Sequence, residues 1–391
     1  MTPQHPHTDS DLSSLFAERF GDADGTFTIR APGRVNLIGE HVDYNGGFVL
    51  PMALPLQTVL CARRRDDRTV TLYSRDFDTT LSFSLDDLTK RDEWSDYVAG
   101  VAQELEVSGI ALTGLEGVVA TNVPVASGLS SSAAIEVGSA LAFLHAVDME
   151  MTPVEVAKLC QRAENRFVGV QSGIMDQMAV AACHRDHALL LDCRSLEMEQ
   201  VPMPSAHHAV VVTDSAAPRE LASGAYNERV SECHEGLNVL RQYVPDAATL
   251  RDIPPTVFYA RASEMPEVVR KRVTHVIEEI ARTQKAAEAL KAGDMVRFGE
   301  LMDASHRSLA ELYQVTSPEL DWLTGWARQQ PGVLGSRMTG AGFGGCIVTL
   351  IEREHAEEFV ANLPHGYRDT FGREARSWVC EATDGAGLVS G

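Results

Sequence analysis

The period of the hydrophobic positions changes along the chain, and the changes mark out its elements. From about residue 26 to 83, apolar and β-branched residues come in short runs. TFTIRA (26–31), FVLPMAL (48–54), TVLCA (58–62) and TVTLYS (69–74) are split by Pro, Gly and Asp clusters, which predicts strands. The spacing then lengthens to three and four. Over 129–146, Ala134, Val137, Leu141 and Leu144 share one face, which predicts a helix. A second helix, over 152–168, opens with Thr152-Pro153-Val154-Glu155: an N-cap, a proline at the first helical position and a capping-box glutamate. Its apolar stripe is Val156, Cys160, Ala163 and Phe167. HAVVVTDS (208–215) reads as a buried strand, and long helical patterns follow over 221–243, 263–291 and 293–313. GCIVTLIER (345–353) reads as a strand leaving a glycine-rich loop, with a helix over 354–363 after it. Residues 1 to about 10 read as a loose tail. Strands and helices mix without strict βαβ alternation, so the fold class is α+β. The length of 391 residues suffices for two domains, placed at 1–205 and 206–391 with no flexible linker between them.

Composition narrows the partners. The 44% apolar and 23% charged fractions are those of an ordinary folded protein. A net charge of −21 argues against nucleic acid and against an anionic membrane surface as partners. It leaves room for one small anion held by local backbone dipoles. The seven cysteines form no CxxC pair and no metal-ligand spacing, and their odd number predicts reduced thiols in a cytoplasmic protein. The first 14 residues show no secretory h-region, and no apolar run approaches the roughly 20 residues that span a bilayer. No repeat or oligomer signal is legible, which leaves a monomer as the default.

Three stretches carry chemistry. GRVNLIGEHVDYNGG (33–47) packs Arg34, Glu40, His41 and Asp43 among apolar residues and glycines, in a strand and the loop after it. A solvated charged face would be helical and rich in Lys and Glu, so this cluster reads as a ligand site. In VPVASGLSSSAAIEVGSAL (123–141) a small-residue loop enters a helix through Ser130, Ser131 and Ser132. A helix start offers free N–H groups and about half a positive charge, so the loop is either a phosphate cradle or an ordinary serine N-cap. GSRMTGAGFGGC (335–346) has four glycines in six residues, which suit a tight turn or backbone pressed against a ligand or another loop. Asp176, set between Ile174, Met175 and Met178, is either catalytic or half of a buried ion pair. Glu164 borders the apolar stripe of its helix and could ligate a cation. There is no GxxxxGK[ST], and His184-Arg185-Asp186 is no kinase catalytic loop, because Leu191 stands where its asparagine should be.

Residues 33–54, GRVNLIGEHVDYNGGFVLPMAL, resemble the galactokinase signature from end to end. PVASGLSSSAA resembles the nucleotide loop of the wider GHMP kinases (galacto-, homoserine, mevalonate and phosphomevalonate kinases), and GSRMTGAGFGGC their third motif. AENRFVGVQSGIMDQ, SGAYNERVSEC and SHRSLAELYQVTSPELDWL are also galactokinase-like, so the resemblance spans roughly residues 26 to 350. It implies a two-domain GHMP fold: an N-terminal ribosomal-protein-S5-like nucleotide domain and a C-terminal ferredoxin-like α/β domain, with the active site in the cleft. It implies transfer from ATP, with Mg²⁺, to the C1 hydroxyl of α-D-galactose, the first committed step of galactose catabolism. By the same likeness Asp176 is the base and Arg34 the charge-stabilising arginine. Glu40, His41, Val42, Asp43, Gly173 and Tyr226 are sugar contacts. Ala126, Ser127, Gly128, Leu129, Ser130, Ser131 and Ser132 form the phosphate loop, and Ser132 and Glu164 are the metal ligands. Ser74, Trp94 and Tyr97 are nucleotide contacts. Ala126 departs from the family's P-x-G-x-G-L loop, where the first glycine would stand, a change that bears on ATP affinity rather than on reaction class. N-acetylgalactosamine or L-arabinose kinases share the cluster in outline. A non-catalytic sugar-binding regulator would carry lesions in the serine loop, which is intact here.

Overall fold

The computed structural model describes residues 9–125, 127–218 and 222–390. In chain order the first half contains α1 (Asp9–Phe20), β1 (Phe27–Asn36), β2 (Phe48–Val49), β3 (Pro51–Arg64), β4 (Thr69–Ser74), β5 (Thr79–Ser84), α2 (Ser95–Val107) and β6 (Leu115–Thr121). It continues with α3 (Ser131–Ala146), α4 (Pro153–Ala163), α5 (Met175–Ala182), β7 (His187–Asp192) and β8 (Met198–Pro202). The second half contains β9 (His208–Asp214), α6 (Ala222–Leu240), α7 (Pro255–Arg261), α8 (Glu267–Ala292), α9 (Met295–Ser308) and α10 (Pro318–Ala327). It ends with β10 (Val333–Thr339), β11 (Cys346–Glu352), α11 (Ala356–Phe371), β12 (Arg376–Cys380) and β13 (Gly387–Ser390).

Three sheets organise these elements, in the orders β13-β1-β3-β6-β4-β5, β10-β11-β9-β12 and β2-β7-β8. All pairings are antiparallel except β4 with β6. The expected α+β class and the strands and helices read from the periodicity are present, with three informative differences. The tail forecast covered residues 1–10; residues 1–8 lie outside the described residues, and from Asp9 the chain is helical. There Leu12 and Phe16 bury themselves against Val59, Tyr73 and Val118. The helix forecast to 168 is α-helical only to Ala163, and a π-helical turn, Glu164–Val168, follows. Helix α5 has no periodic signature because it is only eight residues long and is buried nearly all round.

α3 shows why the first sheet and the site belong together. Its buried face, including Ala133, Ala134 and Val137, packs with Ile29 and Ala31 of β1 and Leu60 of β3. That seats its N-terminus beside the end of β1. The forecast boundary at 205/206 falls in the turn between β8 and β9. Core packing crosses it: Val42 and Met178 share a cluster with Val211, Val276 and Tyr313, and β13 returns to pair with β1. Among the described residues no helix is long and apolar enough to cross a membrane.

Candidate active site

The end of β1, the start of α3 and the start of α5 meet at one point. Arg34, 3% exposed on β1, sends Nε and Nη2 to Asp176 Oδ1 at 2.9 and 2.5 Å, and its Nη1 to the Gly128 carbonyl at 2.6 Å. The other carboxylate oxygen of Asp176 accepts from Ser130 Oγ at 2.6 Å. A buried guanidinium left unpaired would be costly, so this pairing fixes the two groups relative to each other. Ser130 is the residue before α3, held at φ 61° with no side-chain cap to the helix. The ordinary N-cap reading of the serines is therefore wrong here: the hydroxyl serves Asp176, and the first amides of α3 remain without a side-chain partner from Ser130.

These groups line a cavity of about 500 Å³ together with Glu40, His41, Asp43, Gly173 and Tyr226. Such a volume falls within the usual range for small-molecule sites, roughly 300–1,000 Å³. Asp43 sits so tightly over Gly173 that a Cβ there would lie 1.8 Å from Oδ2. Burial first, and then the negative charge of Asp176, push the Asp43 pKa up to about 7. Glu40 is gripped by the third motif: its Oε1 accepts from the Gly340 amide at 2.5 Å and from Thr339 Oγ1 at 3.1 Å. Asn36 donates to its other oxygen, and Arg337 lies 3.7 Å away. Burial raises the Glu40 pKa, against the pull of Arg337 and Arg34. The glycines of 340–345 serve the second role the sequence allowed, backbone against backbone. Gly340, at φ +79°, lies so close to the serine loop that a Cβ would stand 2.9 Å from the Gly128 carbonyl.

The serines and Glu164 form the middle of the lining. Glu164 is 7% exposed, and its Oε2 accepts from Ser172 Oγ at 2.5 Å and Gln177 Nε2 at 2.9 Å. Burial raises the Glu164 pKa, against the smaller pull of Ser172, Gln177 and Ser132. A hydroxyl and a carboxylate that line the same cavity are the hard oxygen donors that suit Mg²⁺, which keeps waters and takes phosphate oxygens for its remaining positions. The rest of the lining is aromatic and apolar, with Trp94, Tyr97, Phe77, Val125 and Ile135, and includes Ser74.

Not every expected residue reaches the cavity. Val42 is fully buried in the core, where only its carbonyl is used, accepting from the Asn45 and Gly47 amides. Leu129 is likewise a core residue whose carbonyl accepts from Arg34 N at 3.1 Å. Ser127 turns its hydroxyl back to the Pro124 carbonyl at 2.7 Å. These three side chains turn away for one reason: a motif is contiguous in sequence, but neighbouring residues of a turn point to opposite sides, which leaves only their backbone toward the cavity side of the loop. Ala126 lies outside the described residues. Sequence reasoning missed the supports: Asn36, Thr339 and Arg337 around Glu40, and Ser172 and Gln177 around Glu164. It also missed Glu136, a fully buried carboxylate on α3 whose Oε2 accepts from the same Gln177 amide at 3.0 Å. A glutamate inside the otherwise apolar AAIEV was the available signal.

Comparison with known proteins places these features in a family. The galactokinase galactose-binding signature matches residues 14–64, the GHMP kinase N-terminal domain 96–184 and the GHMP kinase C-terminal domain 286–369. A galactokinase of Roseiflexus sp. (strain RS-1) is 46% identical over 362 residues, 92% of each chain. One of Chloroflexus aggregans is 43% identical, covering 97% of this chain and 98% of its own. The crystal structure of Lactococcus lactis galactokinase complexed with galactose superposes with a TM-score of 0.94 at 38% identity, over 97% of this chain and 99% of that one. The mevalonate kinase of Methanococcus jannaschii shares the fold, with a TM-score of 0.64 at 19% identity over 92% and 99% of the two chains.

Proposed function

The chain belongs to the galactokinase family of the GHMP kinases, and from that premise we propose that it transfers the terminal phosphoryl group of ATP to the C1 hydroxyl of α-D-galactose, giving galactose 1-phosphate and ADP. The observation that carries the site assignment is the Arg34–Asp176–Ser130 constellation, in the same cavity as Glu40, Asp43 and the serine loop.

Phosphoryl transfer needs alignment and charge neutralisation more than covalent chemistry. The sugar sits among Glu40, Asp43, Gly173 and Tyr226. Buried carboxylates there accept from hydroxyls and are left unpaired when an epimer presents the wrong face, a discrimination apolar walls cannot supply. Asp176 orients the accepting hydroxyl and takes its proton as the bond to phosphorus forms. Ser130 and Arg34 hold the carboxylate in place, and Arg34 faces the negative charge that spreads over the transferring group. The free amides at the start of α3 receive the nucleotide phosphates. Trp94, Tyr97 and Ser74 flank the base, with Phe77 and Val125 beside them. Ser132 and Glu164 would hold Mg²⁺, which when bound supplies positive charge to the β- and γ-phosphates. A cytoplasmic enzyme accords with the free thiols of the seven cysteines, six of them buried, and a monomer is proposed as the simplest state.

The test is a coupled ADP-release assay over galactose, N-acetylgalactosamine, glucose, L-arabinose and 2-deoxygalactose, with and without Mg²⁺. Galactose should be turned over best, and only with Mg²⁺. No turnover on galactose, with turnover on another sugar of the panel, would overturn the assignment.

A further inference from the structure

His41 lines the cavity, yet the protein already uses both of its ring nitrogens. Nε2 lies 3.1 Å from the Ala341 carbonyl oxygen and Nδ1 2.9 Å from the Tyr44 hydroxyl. A carbonyl only accepts, so Nε2 carries hydrogen. Burial foremost, with the neighbouring His275 next, holds the His41 pKa down to about 3, so the ring is neutral and has one hydrogen to give. Nδ1 must then accept from Tyr44. Having donated its only hydrogen, the Tyr44 oxygen accepts from Tyr313 at 2.7 Å, and Tyr313 in turn accepts from the Cys233 thiol at 3.1 Å. One backbone carbonyl thus fixes every proton along Cys233–Tyr313–Tyr44–His41.

The two ends of this chain belong to different halves of the sequence. Glu40 accepts from the Gly340 amide while His41 donates to the Ala341 carbonyl, so adjacent residues of the signature loop grip adjacent residues of the third motif. On its far side the same glycine-rich loop is tied by the Phe343 amide to the Val315 carbonyl at 2.7 Å, two residues beyond Tyr313. His41 is itself held at φ 60°, a left-handed conformation that is strained for a non-glycine residue and persists only where its surroundings over-determine it. Neither Tyr44 nor Tyr313 is among the residues lining the cavity.

We infer that the His41 ring does not read a sugar hydroxyl: it is a positioning residue, locked by Tyr44 and Tyr313 as the Nε2–H tautomer, that latches the 340–341 loop to the signature loop and thereby sets Glu40. The inference rests on the sugar-kinase reading for its effect on turnover, but not for the tautomer.

The experiment has two arms. In the first, ¹⁵N-histidine NMR of the sugar-free wild-type enzyme, with Tyr44→Phe for comparison, reports the tautomer. The Nε2–H form is expected, with no titration from pH 5 to 9 and a shifted Nδ1 signal in the variant. In the second arm, kcat and KM are measured for wild type, Tyr44→Phe, His41→Asn and Glu40→Gln on galactose and on its 2-, 3-, 4- and 6-deoxy analogues. Asparagine tolerates the left-handed backbone, which keeps the His41 variant foldable. Galactose KM should rise about 5- to 20-fold in the Tyr44 and His41 variants, as for a lost hydrogen bond. ATP KM should stay within about twofold, and the dependence of the loss on the deoxy analogue should match that of Glu40→Gln, because the effect runs through Glu40. A loss that collapses for a deoxy sugar on which Glu40→Gln keeps its full loss, a Tyr44→Phe enzyme equal to wild type, or an Nδ1–H tautomer would each overturn the inference. A wild type inactive on galactose would instead sink the proposed function, and the NMR arm would still decide this one.

Discussion

Gly173→Ala is the sharpest probe of the sugar pocket, because one methyl group acts at one place. The added Cβ would lie 1.8 Å from Asp43 Oδ2 and 2.2 Å from its Cγ, where ordinary contact begins at 3.4 Å. The carboxylate must therefore retreat by about 1.6 Å. Gly173 has no positive φ, so the alanine strains no backbone. An acceptor displaced by that distance loses its hydrogen bond to the sugar, which for a charged group is worth about 1.5–3 kcal/mol. At about 1.4 kcal/mol per factor of ten, galactose KM should rise between about 10- and 150-fold. ATP KM should change by less than about twofold, because the aromatic lining is untouched. The assay is the coupled ADP-release measurement with each substrate varied in turn, and a thermal melt beside it. Gly224→Ala on α6 is the control: among the described residues nothing lies within 4 Å of its Cβ position, and loss of chain entropy should stabilise it by about 0.5–1 kcal/mol with no kinetic change. A Gly173→Ala enzyme with galactose KM within twofold of wild type would refute the idea that Asp43 reads the sugar from its seat over Gly173.

Four further outcomes are expected. Asp176→Asn should cut kcat by about 10²–10⁴-fold while calorimetry still detects galactose binding, and a near-wild-type rate would remove Asp176 from its assigned role. Asp43, whose pKa is pushed up to about 7 chiefly by burial, accepts on both oxygens, and with the strength of a charged group, only when ionised, so galactose KM should rise as pH falls below 7 and Asp43→Asn should flatten that slope. The same raised pKa means the sugar-free fold holds this proton more tightly than the unfolded chain. Its contribution to stability is therefore full below about pH 4 and is lost toward pH 7, so the wild-type minus Asp43→Asn difference in urea midpoint should shrink over that window. Glu164→Ala should raise the Mg²⁺ concentration for half-maximal rate at least about tenfold, and an unchanged requirement would place the metal elsewhere.

Much of this was legible in the linear text, and the physical reason is locality. Periodicity found α3, α6 and α8 because their apolar positions recur every three to four residues, and β9 stood out as an unbroken apolar run. The cluster of Arg34, Glu40 and Asp43 was visible because a strand and its following loop carry all three. The capping box of α4 was visible because it is made within four residues, and Thr152 and Glu155 form it in the structure. What sequence could not assign was direction and partnership. The serines could have capped their own helix, and Asp176 could have been a structural ion pair. Which groups they meet depended on α5 lying beside β1, which brings Asp176 to Arg34 across 142 positions and to the Ser130 hydroxyl. Val42, Leu129 and Ser127 sit inside functional motifs yet face away from the cavity, since a turn sends neighbouring side chains to opposite sides. Glu40 gains its amide donor from Gly340, 300 residues on, only because the second half of the chain packs its glycine-rich loop against the serine loop. Local spacing determined which chemistry the chain carries. The long-range packing of two halves around one core decided which atoms face each other, because burial forces each charged group to find a partner wherever the topology supplies one.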